Sequence, residues 1–308
     1  MLFAEDFNQA FPDADFRPPT AEQMEAHLDA HPPRAASRWK RLLPLAPLGF
    51  GLGAYLASPG GVTAVVLLGC VAGGIGWSAL QSRASHRRRE RLQRMHEKAA
   101  LRRPGEALRI GWDLLPEVTE SPLAYGSLLT AFGRCLSELR RDDAAGLCYE
   151  RLLASAPSNH PAAKHFACLR ALAALFEDRL AEADDALRRI RLEDEPAGSP
   201  LRATHALACL LQQARTYRVD DMIANRATAI ERMRPLGVEA GYAYALIAWA
   251  HDQRRRQPRE RDDADSLAEQ VRLWWERATT LLPTEAIARR LPETAELAAP
   301  PALAHHDG

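Results

Sequence analysis

The sequence predicts an all-α protein in which an α-solenoid of about four helix pairs follows a two-helix hairpin that crosses a membrane. Three observations predict this fold class. From residue 119 onward, apolar residues recur at helical spacing, and short breaks with Pro, Gly or Asp separate the segments. No segment shows the apolar–polar alternation of a half-buried β-strand. Before these helices, residues 42–80 form a run without one charged side chain.

The composition is that of a folded protein of one or two domains, with 308 residues, 47% apolar and 26% charged. The formal net charge is zero, but the charge is unevenly distributed along the chain. Residues 1–33 are strongly acidic, whereas residues 81–103 are strongly basic. Arginine is used far more often than lysine, which indicates a GC-rich bacterial genome.

Residues 1–38 are predicted to form an acidic, largely disordered cytoplasmic tail with short helices. Phe3, Phe7 and Phe11 recur every fourth residue and would line one face of a helix that docks into a groove. The alternative is a solvated tail in which the phenylalanines are incidental. Residues 20–23 have the spacing of a capping box, which marks the start of a second short helix.

Residues 39–81 are predicted to form the transmembrane hairpin, because an uncharged run of this length suits two spans of roughly 20 residues each. Residues 58–61, Ser-Pro-Gly-Gly, provide the break between the spans. Arginines flank the run on both sides, which predicts a bacterial inner-membrane protein with both termini in the cytoplasm. A soluble buried hairpin is the alternative. Small residues one turn apart would let the two spans pack closely, namely Gly49 and Gly53 on the first and Gly69 and Gly73 on the second.

Residues 82–118 are predicted to continue from the second span as a basic juxtamembrane helix, followed by a short amphipathic helix. Because the basic segment follows the proposed membrane directly, anionic lipid headgroups are its expected partner, and nucleic acid is not expected. The arginines that would contact these headgroups are Arg83, Arg87, Arg88, Arg89, Arg91 and Arg94.

Residues 119–291 are predicted to contain the paired helices and a capping helix, and residues 292–308 a disordered tail. Each pair exposes an apolar face that only a neighbouring pair can cover, which is the packing principle of a solenoid. The predicted helices span residues 122–139, 143–155, 161–176, 180–191, 200–217, 221–233, 237–253 and 263–282.

One pair carries residues of a known repeat. The 126–159 segment has Leu129, Phe132, Gly133 and Leu136 in its first helix, Ala145, Tyr149 and Leu152 in its second, and Pro157 after it. In this pattern the segment resembles a tetratricopeptide repeat, although that family favours Trp at the position of Leu129 and Ala at that of Leu152. Later copies match more loosely. The resemblance implies that first-helix side chains line a partner groove, here Ser127, Thr130, Arg134, Ser137 and Glu138.

Four Asp-Asp pairs recur in the repeat region, at residues 142–143, 184–185, 220–221 and 262–263. Paired carboxylates are compatible with acid–base chemistry or a metal site. Three of these pairs stand where a second helix begins, and an acidic residue there caps free backbone N–H groups and meets the positive end of the helix dipole. We therefore expect a capping role.

No motif for catalysis is present. The five cysteines lack paired spacing and fit buried thiols in a reducing cytoplasm, and the sequence has no phosphate-binding loop, nucleophile elbow or metalloprotease motif. We therefore predict a membrane-anchored adaptor that binds a protein or peptide, with no enzyme activity, cofactor or metal. The alternatives are a structural protein that self-associates through the hairpin glycines, an enzyme or regulator that uses the repeats as a scaffold, and a groove occupied by the Phe3–Phe11 segment.

Overall fold

The structure is a computed structural model that describes residues 17–34, 82–156, 161–258 and 263–298. Within these ranges every regular element is a helix, which confirms the all-α prediction. The chain divides into two compact units, Met1–Ala144 and Ala145–Gly308. The Phe3–Phe11 segment of the predicted tail lies outside the described residues.

The first unit contains a short N-terminal helix and the first helices of the repeat region. Helix α1 begins with the predicted capping box, since the Gln23 backbone N–H donates to Thr20 Oγ1 and the Thr20 N–H donates to Gln23 Oε1. The helices of this unit are α1 (Ala21–Ala30), α2 (residues 82–100), α3 (Pro104–Val118) and α4 (Pro122–Glu138), and α5 (Asp142–Ser155) begins in it.

Helix α1 is packed rather than solvated, because Met24 and Leu28 are buried. The His27 ring stacks on Trp112 of α3, with 3.7 Å between ring centroids. The backbone N–H of Arg34 donates to the Thr119 carbonyl at 2.8 Å. Residues 20–34 therefore belong to the folded part of the first unit, and burial of two aliphatic side chains explains why they are ordered.

Helices α2, α3 and α4 pack closely around Gly111. A Cβ atom at this position would lie 2.6 Å from Phe132 Cε1 and 2.9 Å from Met95 Sδ, so only glycine fits. Ion pairs also join α2 to α3: Lys98 Nζ lies 2.5 Å from Glu106 Oε2, and Arg91 pairs with Glu117. Buried side chains and surface charges thus hold α2 against α3.

The second unit consists of three helix pairs and a C-terminal segment. The two helices of each pair pack against each other, and each first helix also packs against the first helix of the next pair. After α5, its helices are α6 (Pro161–Phe176), α7 (Leu180–Arg188), α8 (Pro200–Arg215), α9 (Val219–Met233), α10 (Ala240–Arg256), α11 (Ala264–Leu281), α12 (Thr284–Arg290) and α13 (Ala295–Ala298), with 3₁₀ turns at Arg234–Glu239 and Pro292–Thr294.

The same turn joins the helices of four successive pairs. One residue in each turn adopts a left-handed backbone with φ between 54° and 61°, and an arginine follows it every time. The N–H of that arginine donates to the carbonyl five residues earlier at 2.8 or 2.9 Å, which is the bond of a Schellman motif. The left-handed residues and their arginines are Arg102 and Arg103, Arg140 and Arg141, Asp178 and Arg179, and Tyr217 and Arg218.

This turn places residues of the basic segment in the repeat. The sequence predicted residues 82–118 as a juxtamembrane helix and a short helix, separate from the paired helices. In the structure, α2 and α3 are joined by the same turn as the later pairs. The residue five positions after each left-handed residue is fully buried: Ala107, Ala145, Ala183 and Met222. The repeat register therefore starts with α2, one pair earlier than predicted.

Arg102→Gly is expected to stabilise the first unit by about 0.5–1 kcal/mol. A non-glycine residue in the left-handed region costs about 1–2 kcal/mol, and part of the gain is lost because glycine increases the entropy of the unfolded chain. Arg102 is exposed, so the substitution removes no packing. Chemical denaturation would measure the change. Arg103→Gly, where φ is −110°, is the control and should show no stabilisation.

The membrane prediction needs correction. None of the described helices is both long enough and sufficiently apolar to cross a bilayer. The physical reason is that the longer helices carry charged side chains along their length, as Asp265, Glu269 and Arg272 show in α11. The prediction of a two-span protein in a bacterial inner membrane is therefore wrong on this finding. The predicted hairpin at residues 39–81, with Gly49, Gly53, Gly69 and Gly73, lies outside the described residues.

Candidate functional site

The predicted groove side chains all lie on α4, and the structure gives each of them a partner within the first unit. Ser127 Oγ lies 2.9 Å from His96 Nε2 of α2, and the Thr130 hydroxyl donates to the Gly126 carbonyl. Arg134 donates to Glu138 at 3.3 Å while its side chain stays 63% exposed, and Ser137 donates to Asp142 at 2.7 Å. Arg134 is therefore the most accessible of these side chains to a partner.

The predicted repeat-packing residues occupy buried positions in their own units. In the first unit Leu129, Phe132, Gly133 and Leu136 are buried, and in the second unit Ala145, Tyr149 and Leu152 are buried. Pro157 lies outside the described residues. Of the basic residues assigned to lipid headgroups, Arg91 and Arg88 both lie within ion-pair distance of Glu117 of α3. The others are exposed on α2, namely Arg83, Arg87, Arg89 and Arg94.

The Asp-Asp pairs make hydrogen bonds and ion pairs of different kinds. Asp263 caps α11 by accepting the N–H of Asp265, and Asp143 accepts the N–H of Ala144. Others bind side chains: Asp184 accepts from Gln212, and Asp220 from Arg254. In the described ranges no three His, Cys, Asp or Glu side chains are arranged to hold a metal ion. Within the described residues, these carboxylates thus bind backbone N–H groups where helices begin, or form hydrogen bonds and ion pairs with side chains of a neighbouring helix.

The second unit has a cavity of ≈ 310 Å³ beside α8 and α9 that contains a possible acid–base group. His205 lies next to Cys209, with 3.5 Å between Nδ1 and Sγ. Burial lowers the pKa of His205 and raises the pKa of Cys209, so both groups are held in their neutral forms. The arrangement therefore does not generate a thiolate nucleophile. The cavity is lined by Leu192, Glu193, Arg202, His205, Ala206 and Arg232.

The most specific set of contacts in the second unit involves the C-terminal segment, residues 284–298. Its side chains contact the C-terminal ends of three first helices in turn. Arg290 lies over the Phe176 ring of α6 at 3.4 Å from the ring centroid. Glu293 lies 3.5 Å from Arg215 of α8, and Glu296 pairs with Arg256 of α10. We call the surface formed by Phe176, Arg215 and Arg256 the docking face.

The docking face and the predicted groove share a register position. Glu138, Phe176 and Arg215 each lie two residues before the left-handed residue of their turn. Glu138 is the last of the side chains that the tetratricopeptide resemblance assigns to a partner groove. The structure shows that, at two positions in this register in the second unit, the contacting group is a segment of the same chain.

The docking face is not apparent from the amino-acid sequence. Residues 292–308 were predicted as a disordered tail, whereas Pro292–Thr294 and Ala295–Ala298 form short helical elements and residues 299–308 lie outside the described residues. The available signal was the spacing of Ile287 and Leu291, which places two aliphatic side chains on one helix face. The charges of Arg290 and Glu293 gave no indication of their distant partners.

The fold and the candidate site define a class rather than a family: an all-α protein built from repeated helical pairs, with a chain segment bound across the ends of first helices. Comparison with known proteins returns no match to a protein family, to a curated protein or to a solved structure. The tetratricopeptide resemblance of residues 126–159 therefore stays a prediction.

Proposed function

We propose that this protein is a helical-repeat interaction module, whose first helices bind a short segment of a partner protein. The observation that carries the proposal is the C-terminal segment on the docking face. A cation over an aromatic ring, an ion pair and buried aliphatic side chains are the contacts that a helix uses when it binds in a groove. The tetratricopeptide resemblance, which gives the same role to first helices, supports the proposal independently.

The repeated turn supports this function because it fixes equivalent side chains at equivalent places. The first helices α2, α4, α6 and α8 all end in the same hydrogen-bonded turn. The residue two positions before the left-handed residue therefore recurs at the same point of each pair. Recurring positions of this kind let a repeat protein change its binding specificity without changing its fold. On α4 this position is held by Glu138, and its ion-pair partner Arg134, one turn earlier, is the more exposed of the two side chains.

Arg134→Glu is expected to remove partners that the wild-type protein retains. The charge reversal would repel an acidic group that Arg134 binds. The matched control is Arg272→Glu on the second helix α11, because Arg272 and Glu276 form the same i,i+4 pair at 3.3 Å with Arg272 70% exposed. Affinity capture from the source cell with quantitative mass spectrometry would compare the three chains.

The result expected is a set of proteins lost from Arg134→Glu but kept by wild type and by Arg272→Glu. Thr130→Arg, one turn earlier on α4, should lose the same set because its longer side chain obstructs the surface beside Arg134. Identical capture by all four chains would contradict the assignment of partner binding to the first helices.

A further inference from the structure

We propose that residues 284–298 are an internal ligand of the docking face, and that the partner recognised there is an amphipathic helical segment of the same chemistry. Such a segment has two aliphatic residues four positions apart. An arginine directly precedes the second aliphatic residue, and an acidic residue follows that aliphatic residue by two positions. The statement about the partner rests on the proposed function, whereas the internal docking stands on the contacts of this chain alone.

The aliphatic residues are the anchors of the segment. Ile287 and Leu291 lie one helical turn apart and are 0% and 1% exposed. Both belong to the hydrophobic core of the second unit, together with Leu175 of α6 and Leu211 of α8. Side chains spaced four apart project from the same face of a helix, so a partner helix needs the same spacing to fill these positions.

The arginine and the acid determine the direction in which a segment binds. Arg290 meets an aromatic face at Phe176, and Glu293 meets a cation at Arg215, so the two contacts have opposite requirements. Arg215 also lies 3.6 Å from Asp178, which keeps its guanidinium beside the end of α6. A segment with the two charges exchanged would place an anion over the ring and a cation against Arg215. The face therefore selects the order basic, then acidic.

The internal ligand fits imperfectly, which leaves room for a competitor. The side chains of Arg215 and Glu293 are only 18% and 13% exposed. Within the described part of the chain, three buried polar atoms of this ion pair have no hydrogen-bond partner on another residue: Arg215 Nε and both carboxylate oxygens of Glu293. Burial also raises the pKa of Glu293, as expected for a carboxylate that lacks donors. A partner that supplies those donors and acceptors would bind the face better than residues 284–298 do.

A labelled synthetic peptide with the sequence of residues 283–298 tests this inference on the full-length chain. Wild type should bind it weakly, because the internal segment occupies the face and lowers the fraction of competent protein. Arg290→Glu in the chain removes the contact with Phe176 and should tighten peptide binding by about tenfold. Arg289→Glu is the matched control, since the neighbouring Arg289 is exposed, and should bind like wild type.

A second variant guards against misfolding. Glu293→Lys places a cation against Arg215 and should release the segment as Arg290→Glu does. Its circular dichroism spectrum should show at most the small loss of helix due to α12 and α13. A peptide in which the same arginine is replaced by glutamate should bind none of the chains. Equal peptide affinity for wild type, Arg290→Glu and Glu293→Lys would overturn the inference. If the peptide affinities were equal but Arg134→Glu still captured fewer proteins than wild type, the proposal of an internal ligand would be refuted and the proposed function would be retained.

Discussion

Gly111→Ala is expected to destabilise the first unit by about 2 kcal/mol, although alanine is the better helix former. The added Cβ would lie 2.6 Å from the Phe132 ring, inside a contact between three helices. The thioether of Met95 can rotate away, but the ring of Phe132 is fully buried, so α3 and α4 must separate. Overpacking of this kind costs about 1–3 kcal/mol, which exceeds the gain in helix propensity. Urea denaturation followed by circular dichroism would measure the change.

Gly146→Ala is the matched control for this prediction. Gly146 is also a helix-interior glycine, on α5, but its added Cβ would lie 3.5 Å from Arg179 and 3.9 Å from Ala173. These are ordinary contacts, so helix propensity dominates and the substitution should stabilise the chain by about 0.5–1 kcal/mol. The two glycine substitutions should therefore have opposite signs. A stabilising effect of Gly111→Ala would mean that α3 and α4 are less closely packed than the structure shows.

Helix positions were predictable from the sequence because the signals for them are local. Apolar periodicity and start signals such as Ser121-Pro122 and Ser199-Pro200 depend only on neighbouring residues. The structure accordingly places α4, α5 and α6 within one residue of the predicted bounds. The start of α10 was predicted three residues early, since the 3₁₀ turn at Arg234–Glu239 continues the helical pattern without being part of the helix.

The common turn was harder to predict because its defining property is a backbone angle. The left-handed residues are Arg102, Arg140, Asp178 and Tyr217. No side-chain property is common to all four, and none is the glycine that usually marks such a position. What they share is the arginine that follows each of them. That regularity is visible in the sequence, and it would have placed residues 82–118 in the repeat.

The docking face was not predictable because its contacts join residues that are remote along the chain. Arg290 and Phe176 come together only when α6, α8 and α10 are stacked and the segment after α11 turns back across them. Nothing in the local sequence of Arg290 distinguishes it from Arg289, which is exposed. Long-range packing therefore decides which of two adjacent arginines takes part in the candidate site.

The second unit is expected to lose about 2 kcal/mol of stability at pH 5 relative to pH 8 through one buried histidine. His251 on α10 is 3% exposed, and neither ring nitrogen has a hydrogen-bond partner within the described residues. Burial and, to a smaller extent, the nearby cation of Arg226 together lower the pKa of His251 to about 4. In the unfolded chain the ordinary pKa is about 6.5.

The sign of the effect follows from proton binding in the two states. Between pH 6.5 and pH 4 the unfolded chain binds a proton on this imidazole and the folded chain does not, so acid favours unfolding. The stability due to neutral His251 is fully present above pH 6.5 and is lost as the pH falls toward 4. Urea denaturation at pH 8, 6.5 and 5 would give the free energy of unfolding at each pH.

Two substitutions at this position separate titration from packing. His251→Phe and His251→Gln both remove the titrating group, so each should lose about 2 kcal/mol less than wild type between pH 8 and pH 5. They should differ from each other by a constant amount, because the glutamine buries an amide without partners and phenylalanine does not. The predicted titration would be refuted if both variants kept the pH dependence of wild type. If His251→Phe lost this pH dependence of the free energy of unfolding and His251→Gln kept it, the effect would be due to repacking around α10 and not to titration of His251.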